Sequence, residues 1–389
     1  MHPRVRLAMA ATAVSTSVLI AGCSSSASSS GDQSSAAHST SNVNYAAQMK
    51  ALETVDPDKF EGPTTPVKVP SGIKIAAISS SQTLEGDVDA SAGVAQAAKA
   101  IGWTERTFDG QGSTTTQSNV IADAVSWGAK VIVLVAVNPV GVQTGLSIAK
   151  KAGVLIVAAD GATGDFSPNP VKPAPAGDVW PTVEVSPEDA LTGAQMGRWI
   201  VADSQGTANT LLLADKEFSG AIVGPENALK VLQACSGCQT GPIVDFTSDQ
   251  IATSLGPEVV SYLRTHTSVN YILVPYDPAV TAVVTALQGA GLASGVKIVS
   301  NLGDQPNLKY IENGTVQAAD YAWDAGYIGW AVVDQTIRVL DNKPVFVPND
   351  EHTPTVMLTK DNLGQAADSS TGWQAPFDYK SKFLALWQH

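Results

Sequence analysis

Residues 129–164, AKVIVLVAVNPVGVQTGLSIAKKAGVLIVAADGATG, admit few folds. Val131 to Val137 is a seven-residue apolar run, rich in β-branched residues and too short for a helix. Asn138 and Pro139 then supply an N-cap and a first-turn proline. Val142, Leu146 and Ala149 recur at helical spacing and make one buried stripe. Lys150 and Lys151 suit the negative end of that helix, and Gly153 can close it in a left-handed cap. A second apolar run, Val154 to Ala159, stops at Asp160-Gly161. The pattern is strand–helix–strand, and uniformly apolar strands belong to a parallel sheet covered by helices on both faces. Ligands of such sheets sit at the carboxyl ends of the strands, where Asn138 and Asp160 stand.

The same alternation extends to both sides. Strands are expected at 73–78 and 104–108, helices at 88–101 and 115–127. A second series follows, with helices at 187–203, 221–234, 251–265, 278–290, 308–312 and 325–340. Its strands fall at 210–214, 243–246, 271–274, 296–299 and 315–321. Two strand–helix series of similar size predict two doubly wound sheets with a cleft between them. Tyr45 to Pro70 has no clear period and reads as an extension lying against the fold. The end of the chain reads as short extended pieces (345–347, 355–358) and a mostly polar tail closing in FLALW. Gly161 to Pro181, with five prolines and no period, reads as a loop flanking the cleft or a surface insertion.

At the amino end, Arg4 and Arg6 precede an apolar segment, Leu7 to Ile20, and then Ile20-Ala21-Gly22-Cys23. This resembles a bacterial lipobox, whose cysteine becomes the lipidated first residue; an ordinary secretory signal with an incidental cysteine is the alternative. The Ser-rich run 24–41 reads as a flexible tether. No other apolar stretch reaches the ~18 residues of a spanning helix. Cys235 and Cys238, in ACSGC, follow a helical pattern. A thioredoxin-like site would follow a strand, and a zinc site needs further ligands that are not evident, so a local disulfide is expected.

The chain's 389 residues carry 36 acidic and 23 basic side chains, a net charge of −13, which argues against a nucleic-acid partner. No P-loop, HExxH or GxSxG occurs, and the five histidines are scattered, so a His-based triad is not expected. Gly110-Gln111-Gly112 is a fragment of a dinucleotide fingerprint without its third glycine and reads as a tight turn. Glu85, Asp87 and Asp89 fail the calcium-loop pattern at Ala90 and Gln96, and read as carboxylates favouring a helix start. No cofactor and no metal are expected. Polar and aromatic residues at strand ends remain: Ser80, Gln82, Asn138, Asp160, Glu217, Phe218, Tyr276, Asp277, Asn301, Asp304 and Trp323. Carboxylates can accept two hydroxyl hydrogen bonds, and aromatic faces can cover the apolar side of a sugar ring.

The segments IKIAAIS, AAKAIGW, TFDGQG, IADAVSWGAKVIVLVAVNP, IAKKAGVLIVAAD, YILVPYDPAV and ENGTVQAADYAWDAGYIG together resemble the type I periplasmic binding proteins. They are most similar to the ribose/galactose-type substrate-binding lipoproteins of bacterial ABC importers, over about residues 72–345. The resemblance implies two Rossmann-like α/β lobes joined by three hinge crossings, near 183–185, 321–322 and 345–347. It divides the chain into a signal peptide (1–22), a tether and extension (23–71), an N-terminal lobe (72–183 with 322–345) and a C-terminal lobe with tail (184–321 with 346–389). Asp160 matches the family's sugar-hydroxyl acid, Tyr276-Asp277 its polar strand end, and Trp323 a hinge-side contact. The sequence departs at Leu302, where the family has a second aspartate, and near Pro225, where it has an arginine. The implied role is a monomeric, lipid-anchored extracytoplasmic carrier delivering a small polar ligand, a sugar or polyol, to permease and ATPase subunits. A ligand-sensing receptor of the same fold is the alternative. A glycosidase using Asp160 with Asp277 or Asp304 comes third, and no enzymatic activity is expected.

Overall fold

A computed structural model describes residues 43–56, 59–160, 177–218 and 220–388. The leader, the tether with Cys23 and most of the 161–181 loop lie outside these residues. Asn44–His389 form one compact unit.

The described residues open with α1 (Tyr45–Leu52) and a two-residue strand, β1 (Val67–Lys68). The first lobe then alternates β2 (Lys74–Ser79), α2 (Glu85–Ala100), β3 (Thr104–Asp109), α3 (Thr114–Trp127), β4 (Val131–Val135), α4 (Gln143–Lys151), β5 (Leu155–Ala159) and β6 (Glu184–Val185). Its five strands lie parallel in the order β3-β2-β4-β5-β6. Strand residues alternate between two cores, as a period of two requires. Ile75, Ala77, Val131, Val133, Val157 and Ala159 face one core, with Val94 and Ala97 of α2. Ala76, Ile78, Ile132, Leu134, Ile156 and Ala158 face the other, with Ile121 of α3 and Leu146 of α4. This two-sided burial is why the strands read as unbroken apolar runs.

The second lobe comprises α5 (Asp189–Asp203), β7 (Asn209–Asp215), α6 (Gly220–Ala234), β8 (Gln239–Phe246), α7 (Ser248–Ile251), α8 (Leu255–Thr265), β9 (Tyr271–Leu273), α9 (Asp277–Ala290), β10 (Lys297–Leu302), α10 (Gln305–Glu312) and β11 (Gln317–Trp323). Its sheet runs β12-β11-β10-β9-β7-β8, with β12 (Thr355–Thr359) antiparallel on the edge. Leu211, Leu213 and Ile298 face α8 and α9, whereas Leu212, Leu273 and Val299 face α5 and α6. Cys235 and Cys238 are joined in a disulfide after α6.

The lobes exchange chain at 186–188, at Asp324 and between 341 and 354. After β11 the chain returns to the first lobe as α11 (Ala325–Leu340), which packs against α2. That packing is close because Gly93 faces it: a Cβ there would stand 2.5 Å from the carbonyl oxygen of Gly326. The tail, read with the C-terminal lobe, crosses once more. It forms α12 (Tyr379–Leu386) and β13 (Trp387–Gln388), whose Phe383 and Trp387 are buried in the first lobe's core. β13 pairs in parallel with β1, so the tail lies beside the N-terminal extension. The N-terminal extension also bridges the lobes, with Met49 and Leu52 of α1 against the second lobe's core and Phe60 against the first.

Local differences from the sequence reading have physical causes. Asn138 does cap, its Oδ1 accepting from the Val140 N–H at 3.0 Å, but Pro139–Val142 is a 3₁₀ turn and the α-helix begins at Gln143. The helix expected at 187–203 begins two residues later, at Asp189, with Glu188 in its cap position. The helix read at 251–265 is broken into α7 and α8.

Candidate functional site

In both sheets the strand order reverses beside the first strand of the lobe, between β2 and β4 and between β7 and β9. Loops leaving a sheet there diverge and open a crevice. The two crevices face one another across a cavity of about 600 Å³. The first lobe contributes Ser80, Asp87, Gln111, Gly112, Ala136 and Asp160; the second contributes Asp189, Phe218, Tyr276, Asn301, Asp304 and Trp323.

Three of the lining residues end strands in a left-handed backbone conformation that only glycine adopts freely: Ala136 (φ +52°), Asp160 (φ +63°) and Leu302 (φ +122°). Such strain persists only where surrounding structure enforces it, and it clusters at functional sites. Here it sets the Asp160 side chain at the cavity wall. The Gly110-Gln111-Gly112 turn is tight, as read: the N–H groups of Gly110 and Gly112 donate to the carbonyls of Ser79 (2.9 Å) and Ser80 (2.8 Å). That turn forms part of the wall.

Seven of the eleven residues singled out from sequence line the cavity: Ser80, Asp160, Phe218, Tyr276, Asn301, Asp304 and Trp323. The other four have structural roles. The Gln82 N–H donates to Asp109 Oδ1 at 3.0 Å, and its side chain is not in the wall. Asn138 Nδ2 donates to the carbonyl of Glu217 at 3.0 Å, a bond that joins the lobes at the cavity rim. Glu217 Oε2 accepts from the Ser248 N–H at 2.7 Å. Asp277 is fully buried, and its Oδ2 accepts from the N–H groups of Gly303 (3.1 Å) and Asp304 (2.9 Å). It therefore holds the start of α10 and does not face the ligand space. A second inter-lobe bond, from the Gln305 N–H to Glu85 Oε1 at 2.9 Å, closes the opposite rim.

Sequence reasoning missed Asp87 and Asp189. Asp87 does sit in the first turn of α2, as read, yet its carboxylate reaches the wall, held by Ser80 Oγ (2.6 Å) and the Ser81 N–H (2.8 Å). Asp189 opens α5, where an acid also suits the positive end of a helix; Ser186-Pro187 before it are in the wall too, a signal that this crossing passes the cavity. Burial raises all these carboxyls. Asp87 is pushed up to about 6, its serine donors opposing the shift. Asp189 rises to about 8, by burial first and then by Glu184 and Glu188. Asp160 and Asp304 are held well above the ordinary carboxylate range by burial and by neighbouring acids, Asp87 among them.

Tyr276 donates its hydroxyl to Asp215 Oδ2, and its ring meets Phe218 edge-on at 6.4 Å, so both rings are fixed. The site thus offers oriented rings beside hydrogen-bonding acids. Among the described residues no group of three or more His, Cys, Asp or Glu is arranged to hold a metal ion.

The periplasmic binding protein domain model matches residues 75–344. The chain belongs to that family and has the type I fold; the family's members are extracytoplasmic solute-binding proteins, not enzymes. Solved structures agree on the fold. The myo-inositol binding protein of Caulobacter, solved with myo-inositol, is 18% identical with a TM-score of 0.61, covering 77% of this chain and 98% of its own. An ABC transporter solute binding protein from Mycobacterium smegmatis with bound glycerol is 19% identical (TM-score 0.63; 78% and 100% covered). One from Agrobacterium vitis with α-D-tagatopyranose is 15% identical (TM-score 0.66; 78% and 100% covered). No curated protein matched the chain.

Proposed function

We propose that this protein is the capture subunit of an ABC importer for a sugar or sugar-like polyol. It would be anchored outside the cell membrane through lipid on Cys23 and would work as a monomer with permease and ATPase subunits on other chains. The observation that carries the reading is the cavity between the lobes, walled by Asp160, Asp304 and Asn301 beside Phe218, Tyr276 and Trp323. Carboxylates accept hydroxyl hydrogen bonds worth about 1.5–3 kcal/mol each when charge-assisted. Aromatic rings cover the apolar face of a pyranose. Together these suffice for micromolar affinity, about −8 kcal/mol, without covalent chemistry. The polyols and sugars held by the solved relatives support the same class of ligand.

A thermal-shift screen over sugars and polyols tests this. A ligand at a hundredfold excess over its Kd raises stability by about 2.7 kcal/mol, an increase of several degrees in Tm. Asp160→Ala should abolish that shift with little change in the ligand-free Tm. A mutant that responds normally would remove Asp160 from the site.

A further inference from the structure

Four carboxyl groups, Asp87, Asp160, Asp189 and Asp304, line the cavity, and among the described residues no Lys, Arg or His joins them. Lys172, the one basic residue of 161–176, lies outside the described residues. Asp160 from the first lobe and Asp304 from the second converge on one point. Their Oδ2 and Oδ1 atoms stand 3.8 and 3.9 Å from where a Cβ on Gly86 would be.

The two lining acids nearest that point differ from Asp87, whose Oδ2 accepts from the Ser79 and Ser80 hydroxyls and the Ser81 N–H. Asp304 is 8% exposed, and its carboxyl has no hydrogen-bond donor among the described residues. Its backbone is engaged instead: the N–H donates to Asp277 Oδ2, and the carbonyl accepts from the N–H groups of Asn307 and Leu308. Glu85 and Asp89 of α2, Asp277 of α9 and Asp320 of β11 surround it with further acids. A carboxyl in the cavity wall with no protein donor leaves its oxygens to whatever occupies the cavity. A hydroxyl would give it one hydrogen bond but no counter-charge. An ammonium would give three donors and a positive charge to a wall that holds none among the described residues.

We infer that the ligand is a polyhydroxylated amine, such as an amino sugar or aminocyclitol, with its ammonium seated between Asp160 and Asp304. This rests on the reading of the cleft as a sugar site and adds the charge. Calorimetric titration of matched sets tests it: glucose, glucosamine and N-acetylglucosamine; galactose, galactosamine and N-acetylgalactosamine; myo-inositol and scyllo-inosamine. In at least one set the free amine should bind at least about tenfold tighter than its neutral partners. Asp304→Asn, checked for unchanged folding by circular dichroism, should close that gap. Neutral members binding as tightly as the amines, or no amine binding at millimolar concentration, would overturn the inference. A neutral sugar that binds well without amine preference leaves the sugar-carrier reading intact. Binding of spermidine with no response to any sugar or inositol would instead retain the charge and remove the sugar.

Discussion

Asp160 and Asp277 look alike in the sequence, each an acid directly after or beside a strand end, and the fold separates them completely. The Asp160 side chain ends in the cavity, whereas Asp277 accepts from two backbone N–H groups and Ser300 Oγ in the interior. Asp277→Ala should therefore lower stability by about 1–3 kcal/mol for each amide left without an acceptor, measured by urea denaturation. A stability equal to that of wild type would contradict its capping role. Sequence alone could not divide the pair, because the difference lies in where α10 begins. A second consequence concerns pH. Each raised carboxyl keeps in the folded state a proton that the unfolded chain has released, so stability falls as pH climbs from about 4 through the folded value. With Asp87 near 6, Asp89 near 7 and Asp189 near 8, the loss spans that whole range. The ligand-free Tm should be lower at about pH 8 than at about pH 5.5, and Asp189→Asn, which removes the acid facing Glu184 and Glu188, should reduce the difference. A Tm that rises over this interval would contradict the burial of these acids.

At the level of elements, the lobes' own strands and helices were legible because each carries a long apolar signature. Val131–Val135 and Leu155–Ala159 are buried on both faces, and α11 runs over the residues read from sequence. The extension before β2 and the tail after β12 were not legible. α1 (YAAQMKAL) and α12 (YKSKFLAL) are eight residues each, too short to be stable alone, and their helicity comes from docking. α12 docks through Phe383, fully buried and in edge or tilted contact with Phe60, Tyr327, Tyr379 and Trp387. Phe383→Ala should cost about 3–5 kcal/mol. A loss below about 1 kcal/mol in the same urea experiment would mean that the tail does not belong to this core.

For the molecule as a whole, three crossings join the lobes, and the N-terminal extension and the tail bridge them as well. The arrangement of two separate sheets was readable from the alternation of strands and helices. The contents of the cleft were only partly so, since Asp87 and Asp189 reach it through helix starts that satisfy ordinary end-of-helix electrostatics equally well. The rim bonds Asn138–Glu217 and Glu85–Gln305 place the lobes face to face over the cavity. A ligand held there touches both lobes at once.

Hydrogen–deuterium exchange with and without the best-binding sugar or amino sugar tests that claim most directly. Protection is predicted in the segments around Ser80–Asp87 and Asp160 of the first lobe and, together with them, around Tyr276, Asn301–Asp304 and Trp323 of the second. Protection confined to one lobe, or centred on α1 and the 350–355 crossing instead, would contradict it.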